Sequence, residues 1–317
     1  MARMEATDGK LKGAAMVLLA SFFWGTISPA GRLLAHEGTD VLSVVVLRAL
    51  IAALAVGLAL ALSRPSSLLP RSLGDLLIAS AGGLFGVCFN YAGFLMALKH
   101  MEVPYVLAIF YTFPFITALL GRLSLGEPVD RNKLLGFLVF SAGLSMVVRP
   151  WSSTGGINPR GALFALMGAT GMASYSVFGR LWSLKHSGRD QTTFFFLCMA
   201  SGALWLSLTS KLARGEVLVQ PISPRALLLA LYLGVVATVG GYGLFVRGLR
   251  HLEASTASIL ATGEIAFAMG LNALLVGEVP SVAEVLGASL VALSIAVSCA
   301  NGIPGSRAKP EEGKSQD

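Results

Sequence analysis

LKHMEVPYVLAIFYTFPFITALLGRLSLGE, residues 98–127, and LRHLEASTASILATGEIAFAMGLNALLVGE, residues 249–278, align without a gap at an offset of 151 residues. Leu98 meets Leu249, His100 meets His251, Glu102 meets Glu253, and Gly126-Glu127 meets Gly277-Glu278. Leucine matches are cheap in an apolar chain, but the His, Glu and Gly-Glu matches at one common shift are not. The same shift carries Leu135-Gly136 onto Leu286-Gly287 and Trp24 onto Tyr175. The chain therefore reads as an internal duplication.

Each copy is a series of apolar runs. A helix needs about 20 mostly apolar residues to cross the hydrocarbon core of a bilayer. Ten segments meet that length: spans one to ten, at 13–34, 41–62, 73–98, 104–123, 132–149, 160–181, 192–211, 226–247, 254–275 and 282–300. Charged residues make up 13% of the 317, against roughly 25% in a soluble domain, and mean hydropathy is +0.73. The breaks between runs are short and carry turn formers and charge, as in Gly126-Glu127-Pro128-Val129-Asp130. No loop has room for an independent soluble domain. The basic N-terminal stretch before Ala14 resembles a signal-peptide start. The apolar run behind it is too long and lacks a small-residue cleavage site, so it reads as a retained span. Cys88, Cys198 and Cys299 sit inside apolar runs and read as small buried hydrophobes. The net charge of +7 is dispersed over short clusters between spans and is no nucleic-acid footprint.

Lysine and arginine give the spans a direction. If the N-terminus is cytoplasmic, sixteen of the 24 lysines and arginines fall on that side, seven on the other, and Arg48 within a span. Both termini are then expected in the cytoplasm. A repeat of five spans begins its second copy on the opposite face, so the duplication is an inverted one, a device of secondary transporters. The expected organisation is a cytoplasmic segment at 1–12, five-helix repeats at 13–149 and 160–300, and a disordered cytoplasmic tail at 301–317.

Several stretches carry a family resemblance. Trp24-Gly25-Thr26-Ile27-Ser28-Pro29 looks like a first-helix pattern, and Arg48 followed by Ala49 to Leu54 like a second-helix pattern. Ala97-Leu98 through Pro114 to Leu125-Gly126-Glu127, with Gly136 and Gly143, resembles the end of one repeat, and Leu249 to Gly277-Glu278 with Gly287 the end of the other. Together these resemble the EamA branch of the drug/metabolite transporter superfamily over nearly the whole chain. The resemblance implies an all-α polytopic fold, ten helices as an inverted 5+5 repeat around a central cavity, that exports amino acids or related metabolites from the bacterial inner membrane. Such proteins often have a Glu-Pro pair in span nine. Here Glu264 is followed by Ile265, so the proline that would break the helix is gone.

An ionisable group inside a bilayer is costly and points to function. Glu264 lies near mid-depth of span nine, and is a candidate for coupling protons or holding a substrate ammonium. The alternative is a structural glutamate bonded to a neighbouring helix or paired with Arg48. For Arg48 itself the expectation is a structural or gating role, by anchoring its helix or snorkelling. Trp24, Asn90, Tyr91, Tyr111, Tyr175 and Tyr242 are mid-span aromatic and amide side chains of the kind that line small-molecule cavities, or that merely pack between helices. Pro29 and Pro114 each remove a backbone hydrogen bond and are hinge candidates. Gly-Glu at 126–127 and 277–278 reads as a structural turn and cap.

The expected function is alternating-access transport of a small organic metabolite. There is no GxxxxGK[ST] loop and no metal or cofactor motif. The rival readings are an intramembrane enzyme, which would need a reactive cluster that the four histidines at span ends do not supply, and a non-transporting scaffold or channel. The partners expected are a small-molecule substrate and membrane lipid, with a homodimer as an option and no nucleic acid.

Overall fold

The computed structural model describes residues 2–37, 40–152, 155–186, 191–214 and 222–299. The expected tail at 301–317 lies outside them. The described regular structure is all helical, joined by short turns and loops, with no strand among the described residues. Ten helices are long and apolar enough to cross a membrane: Asp8–Leu34, Leu42–Ser63, Leu73–Leu98, Val103–Leu125, Arg131–Ser152, Pro159–Lys185, Gln191–Leu212, Pro224–Gly248, Ala254–Leu275 and Val282–Cys299. They correspond one to one with spans one to ten. The first helix begins at Ala2, so the N-terminal segment extends span one.

The two repeats do not form two bodies. Nearly every extensive helix pair joins one repeat to the other: spans two and seven, three and six, three and seven, one and eight, one and nine, and five and ten. Exchanging the repeats turns three-with-six into eight-with-one and four-with-six into nine-with-one, and both members of each exchange occur. The contacts thus follow a pseudo-twofold axis, and each repeat serves as the other's core. Large apolar side chains such as Leu62, Leu123, Leu212 and Leu274 are exposed on the rim, where lipid would cover them.

Spans five and ten form the most extensive pair. Small residues allow this close approach. A Cβ at Gly143 would lie 2.7 Å from the Gly287 carbonyl oxygen, and one at Gly287 would lie 2.6 Å from that of Gly143. Neither obstacle is a flexible side-chain end, so a larger residue must push the helices apart. Gly143→Leu is expected to cost about 3 kcal/mol and to lower the melting temperature in detergent by several degrees. Gly270→Leu is the control: nothing lies within 4 Å of its Cβ position, and stability should hold.

Ion pairs join the repeats at both ends of the bundle. On the face that bears the N-terminus, Glu127 lies 3.7 Å from Arg180, Lys133 meets Glu253, and Asp75 meets His186 at 2.8 Å and Lys185 at 3.5 Å. The Asp75 and Glu127 side chains are almost wholly enclosed. On the opposite face Arg32 meets Glu278, Arg149 lies 3.5 Å from Glu284, and Arg225 lies 3.6 Å from Glu37. Those carboxylates are partly exposed. The N-terminal face thus holds two enclosed carboxylates and one, Glu253, that is partly exposed. His251, in the turn before span nine, is held below the usual histidine range by burial and by the positive charges of Arg250, Lys12 and Arg180. It stays neutral near pH 7.

Candidate functional site

Three local departures from the α-helix place the mid-membrane side chains. In span one the helix stops at Gly25 and restarts at Ile27. Pro29 cannot donate to the Gly25 carbonyl, and the Thr26 hydroxyl donates to Phe23 O at 2.6 Å. In span four the helix breaks between Phe110 and Phe113, with Pro114 in the first turn of the second piece. Span nine breaks between Ala261 and Glu264. That position is the 151-residue equivalent of the break in span four. The absence of a proline after Glu264 led to the expectation of an unbroken helix there, and this is corrected. The break is made by Thr262-Gly263, where Thr262 N and Gly263 N donate three residues back, to Ile259 O and Leu260 O, and the Thr262 hydroxyl also donates to Ile259 O at 2.6 Å. Spans three and eight each contain a π-helical stretch, Leu84–Phe89 and Leu233–Tyr242, again at equivalent places. Such wide turns are often found at functional sites.

Two symmetry-related aromatic pairs meet at the centre. Tyr91 falls on Tyr242 by the same shift that carries Trp24 onto Tyr175. The Tyr242 ring lies 4.7 Å from Trp24, 5.4 Å from Tyr175 and 6.3 Å from Tyr91, centroid to centroid. All four are buried. Asn90, at the end of the π-helical stretch of span three, donates its amide to the Tyr242 hydroxyl at 3.4 Å. Five of the aromatic and amide candidates are thus brought together at one point, closing the centre of the bundle. The equivalence of Tyr91 and Tyr242 was visible in the sequence through the 151-residue offset.

Two ionisable side chains break this symmetry. Arg48 is only 7% exposed and does not snorkel to the surface. Its guanidinium sits over the Tyr91 ring, 4.6 Å from the centroid, and its Nε donates to the Thr238 hydroxyl at 3.1 Å. Glu264 heads the second piece of span nine, and its carboxylate accepts from the Tyr111 hydroxyl at 2.9 Å. This hydrogen bond joins the broken points of spans four and nine. Tyr111 therefore stands apart from the aromatic quartet, beside Glu264. It also lines a cleft of about 120 Å³ between spans four and five, with Thr112, Phe115, Phe140 and Leu144. Arg48 and Glu264 form no ion pair with each other.

Sequence reasoning missed the enclosed Asp75, and it read Glu127 as part of a turn and cap without the reach of its side chain. Asp75 starts span three and bonds across to span six. Glu127 reaches into the other repeat, where its carboxylate accepts from Ala254 N at 2.9 Å and Ser255 N at 3.4 Å. It thereby caps a helix 127 residues away, whereas Gly126 takes the left-handed turn at φ 68° that frees it to do so. Among the described residues no three His, Cys, Asp or Glu side chains gather as a metal site requires.

The model of the EamA-like transporter family matches residues 11–149 and 159–299, one match per repeat. An uncharacterized transporter, YwfM, of Bacillus subtilis is 28% identical over 283 residues, covering 89% of this chain and 91% of the relative. A Pseudomonas aeruginosa protein named pseudopaline exporter CntI is 28% identical over 214 residues, 67% of this chain and 70% of the relative. A solved structure shares the fold with a TM-score of 0.73 at 21% identity, over 91% of this chain and 96% of that one.

Proposed function

From the premise that the chain belongs to the EamA-like transporter family, we propose that it carries a small organic metabolite across the bacterial plasma membrane by alternating access. Amino acids and related compounds are the first cargo to test, and export is the expected direction. The observation that carries this reading is the aromatic quartet on the pseudo-twofold axis. Its members come from spans one, three, six and eight, two from each repeat. A solute held there touches both repeats, so exchanging the conformations of the two repeats would expose it to opposite sides. The broken helices of spans one, four and nine supply the hinges.

The bias in lysine and arginine supports placing both termini in the cytoplasm. The N-terminal face is then the cytoplasmic one, and the enclosed carboxylates of Asp75 and Glu127 support reading this conformation as closed on that side. The relative named as an exporter supports outward transport. Glu264 is the group assigned to proton coupling, because it is the carboxylate at mid-depth beside a helix break. Trp24, Asn90, Tyr91, Tyr175 and Tyr242 form the binding surface, and Tyr111 positions Glu264.

The test is solute counterflow into proteoliposomes of the purified protein, with a panel of amino acids and cationic drugs, with and without a pH gradient. Saturable uptake of at least one compound above protein-free vesicles is expected. No saturable uptake of any of them would count against a carrier.

A further inference from the structure

We propose that Arg48 is the anchor for a carboxylate of the transported solute, so that the preferred cargo is an organic acid or zwitterion and not a cation. The inference rests on the carrier reading and narrows it. A guanidinium cannot shed its charge, and leaving one buried in a membrane without an anion is costly. Among the described ion pairs none includes Arg48. Its Nη2 is sealed from solvent and has no hydrogen-bond acceptor.

A structural arginine in this same protein looks different. Arg180 donates to the carbonyls of Leu249 at 2.9 Å and Arg250 at 3.3 Å, and although its Nε also has no hydrogen-bond acceptor it lies 3.7 Å from the Glu127 carboxylate. Arg48 is positioned but has no carboxylate beside it among the described residues. The Thr238 hydroxyl gives its proton to Leu233 O at 2.8 Å, which turns a lone pair toward Arg48 Nε. The Tyr91 face supports the guanidinium from one side.

Three further polar groups nearby are in the same condition. Trp24 Nε1 and the Tyr91 and Tyr175 hydroxyls are sealed without partners, and all three rings pack on Tyr242. Four groups able to donate thus lie around the centre of the bundle with nothing to accept from them. A carboxylate answers this need, since it accepts at two oxygens with about four lone-pair sites and pairs with an arginine fork in bidentate geometry. The Tyr242 ring now fills that centre, and its withdrawal makes the room. By the 151-residue shift Arg48 falls on the buried Met199, so the second repeat has no matching cation and the site holds one carboxylate in one orientation.

The test uses counterflow in proteoliposomes with radiolabelled L-leucine, L-phenylalanine and L-lysine, each paired with its α-amide, and with ethidium as a cation lacking a carboxylate. The acids should be preferred over their amides by roughly 10- to 100-fold, the worth of hydrogen bonds to a charged group. Arg48→Gln should erase that preference, and Arg48→Lys should keep part of it. The solute-free Arg48→Gln protein should melt no lower than wild type, because an unpaired buried charge has been removed. Amides or ethidium carried as well as the acids, or a preference untouched by Arg48→Gln, would overturn the anchor and leave the carrier standing. A wild-type preference for acids that Arg48→Lys fully preserves would do the same. Saturable flux of none of the seven probes would count against the carrier, and the anchor would fall with it.

Discussion

Proteoliposomes with Glu264→Gln protein are expected to exchange solute down its gradient while losing all accumulation driven by a pH gradient. Glutamine has the size of glutamate, and its carbonyl oxygen can still accept from Tyr111. It cannot bind and release a proton in the cycle. With one proton exchanged per solute, a gradient of one pH unit supports about tenfold accumulation, and the variant should fall to no accumulation. Tyr111→Phe offers a milder comparison. It removes the hydroxyl that holds the carboxylate between the two helix breaks, so coupling should weaken while downhill exchange persists. Wild-type pH dependence in Glu264→Gln would remove Glu264 from the coupling role.

Glu127→Ala should produce the largest loss of stability among single substitutions of the charged residues. The Glu127 carboxylate serves two partners at once in the other repeat. It caps the helix Ala254–Ala261, whose own N-cap residue, Glu253, makes no side-chain cap bond and meets Lys133 instead. It also neutralises Arg180 at 3.7 Å. Truncation leaves two backbone N–H groups without their acceptor and a largely enclosed cation without its carboxylate. Breaking one side of such a buried pair costs about 3–5 kcal/mol. The melting temperature in detergent should fall by several degrees, and Glu127→Gln should recover part of the loss through its amide oxygen. Melting as high as wild type would show that the enclosed pairs on the N-terminal face contribute little.

Much of the architecture is legible without coordinates, because a bilayer leaves few solutions. Apolar runs of the right length must be helices, and an odd number of spans per copy must invert the second copy. The 151-residue shift pairs Trp24 with Tyr175 and Tyr91 with Tyr242, but only the fold shows that the two pairs meet at the centre. The remainder depends on long-range contacts that no local pattern encodes. The break in span nine arises from a glycine and a threonine hydroxyl bonding back to Ile259 O, so its signal is weaker than a proline would provide. The π-helical stretches leave no mark on hydropathy. Glu127 lies in a Gly-Glu pair that suits a simple turn, and only the fold shows that its acceptor serves Ala254. For the same reason Arg48 and Glu264 could be singled out as costly, but not assigned to Thr238 and Tyr111.

The interleaving of the repeats also had no sequence signal, and it changes the mechanical picture. Since each repeat is packed largely against the other, opening either face must separate inter-repeat pairs. The most direct test ties each face shut in turn. Arg32→Cys with Glu278→Cys spans the face opposite the N-terminus, and Lys133→Cys with Glu253→Cys spans the N-terminal face. A cleavable bifunctional thiol reagent is applied to each double variant in proteoliposomes, with wild-type protein as the control. Alternating access predicts that either cross-link alone stops counterflow and that reductive cleavage restores it. Counterflow that continues through either cross-linked face would contradict it.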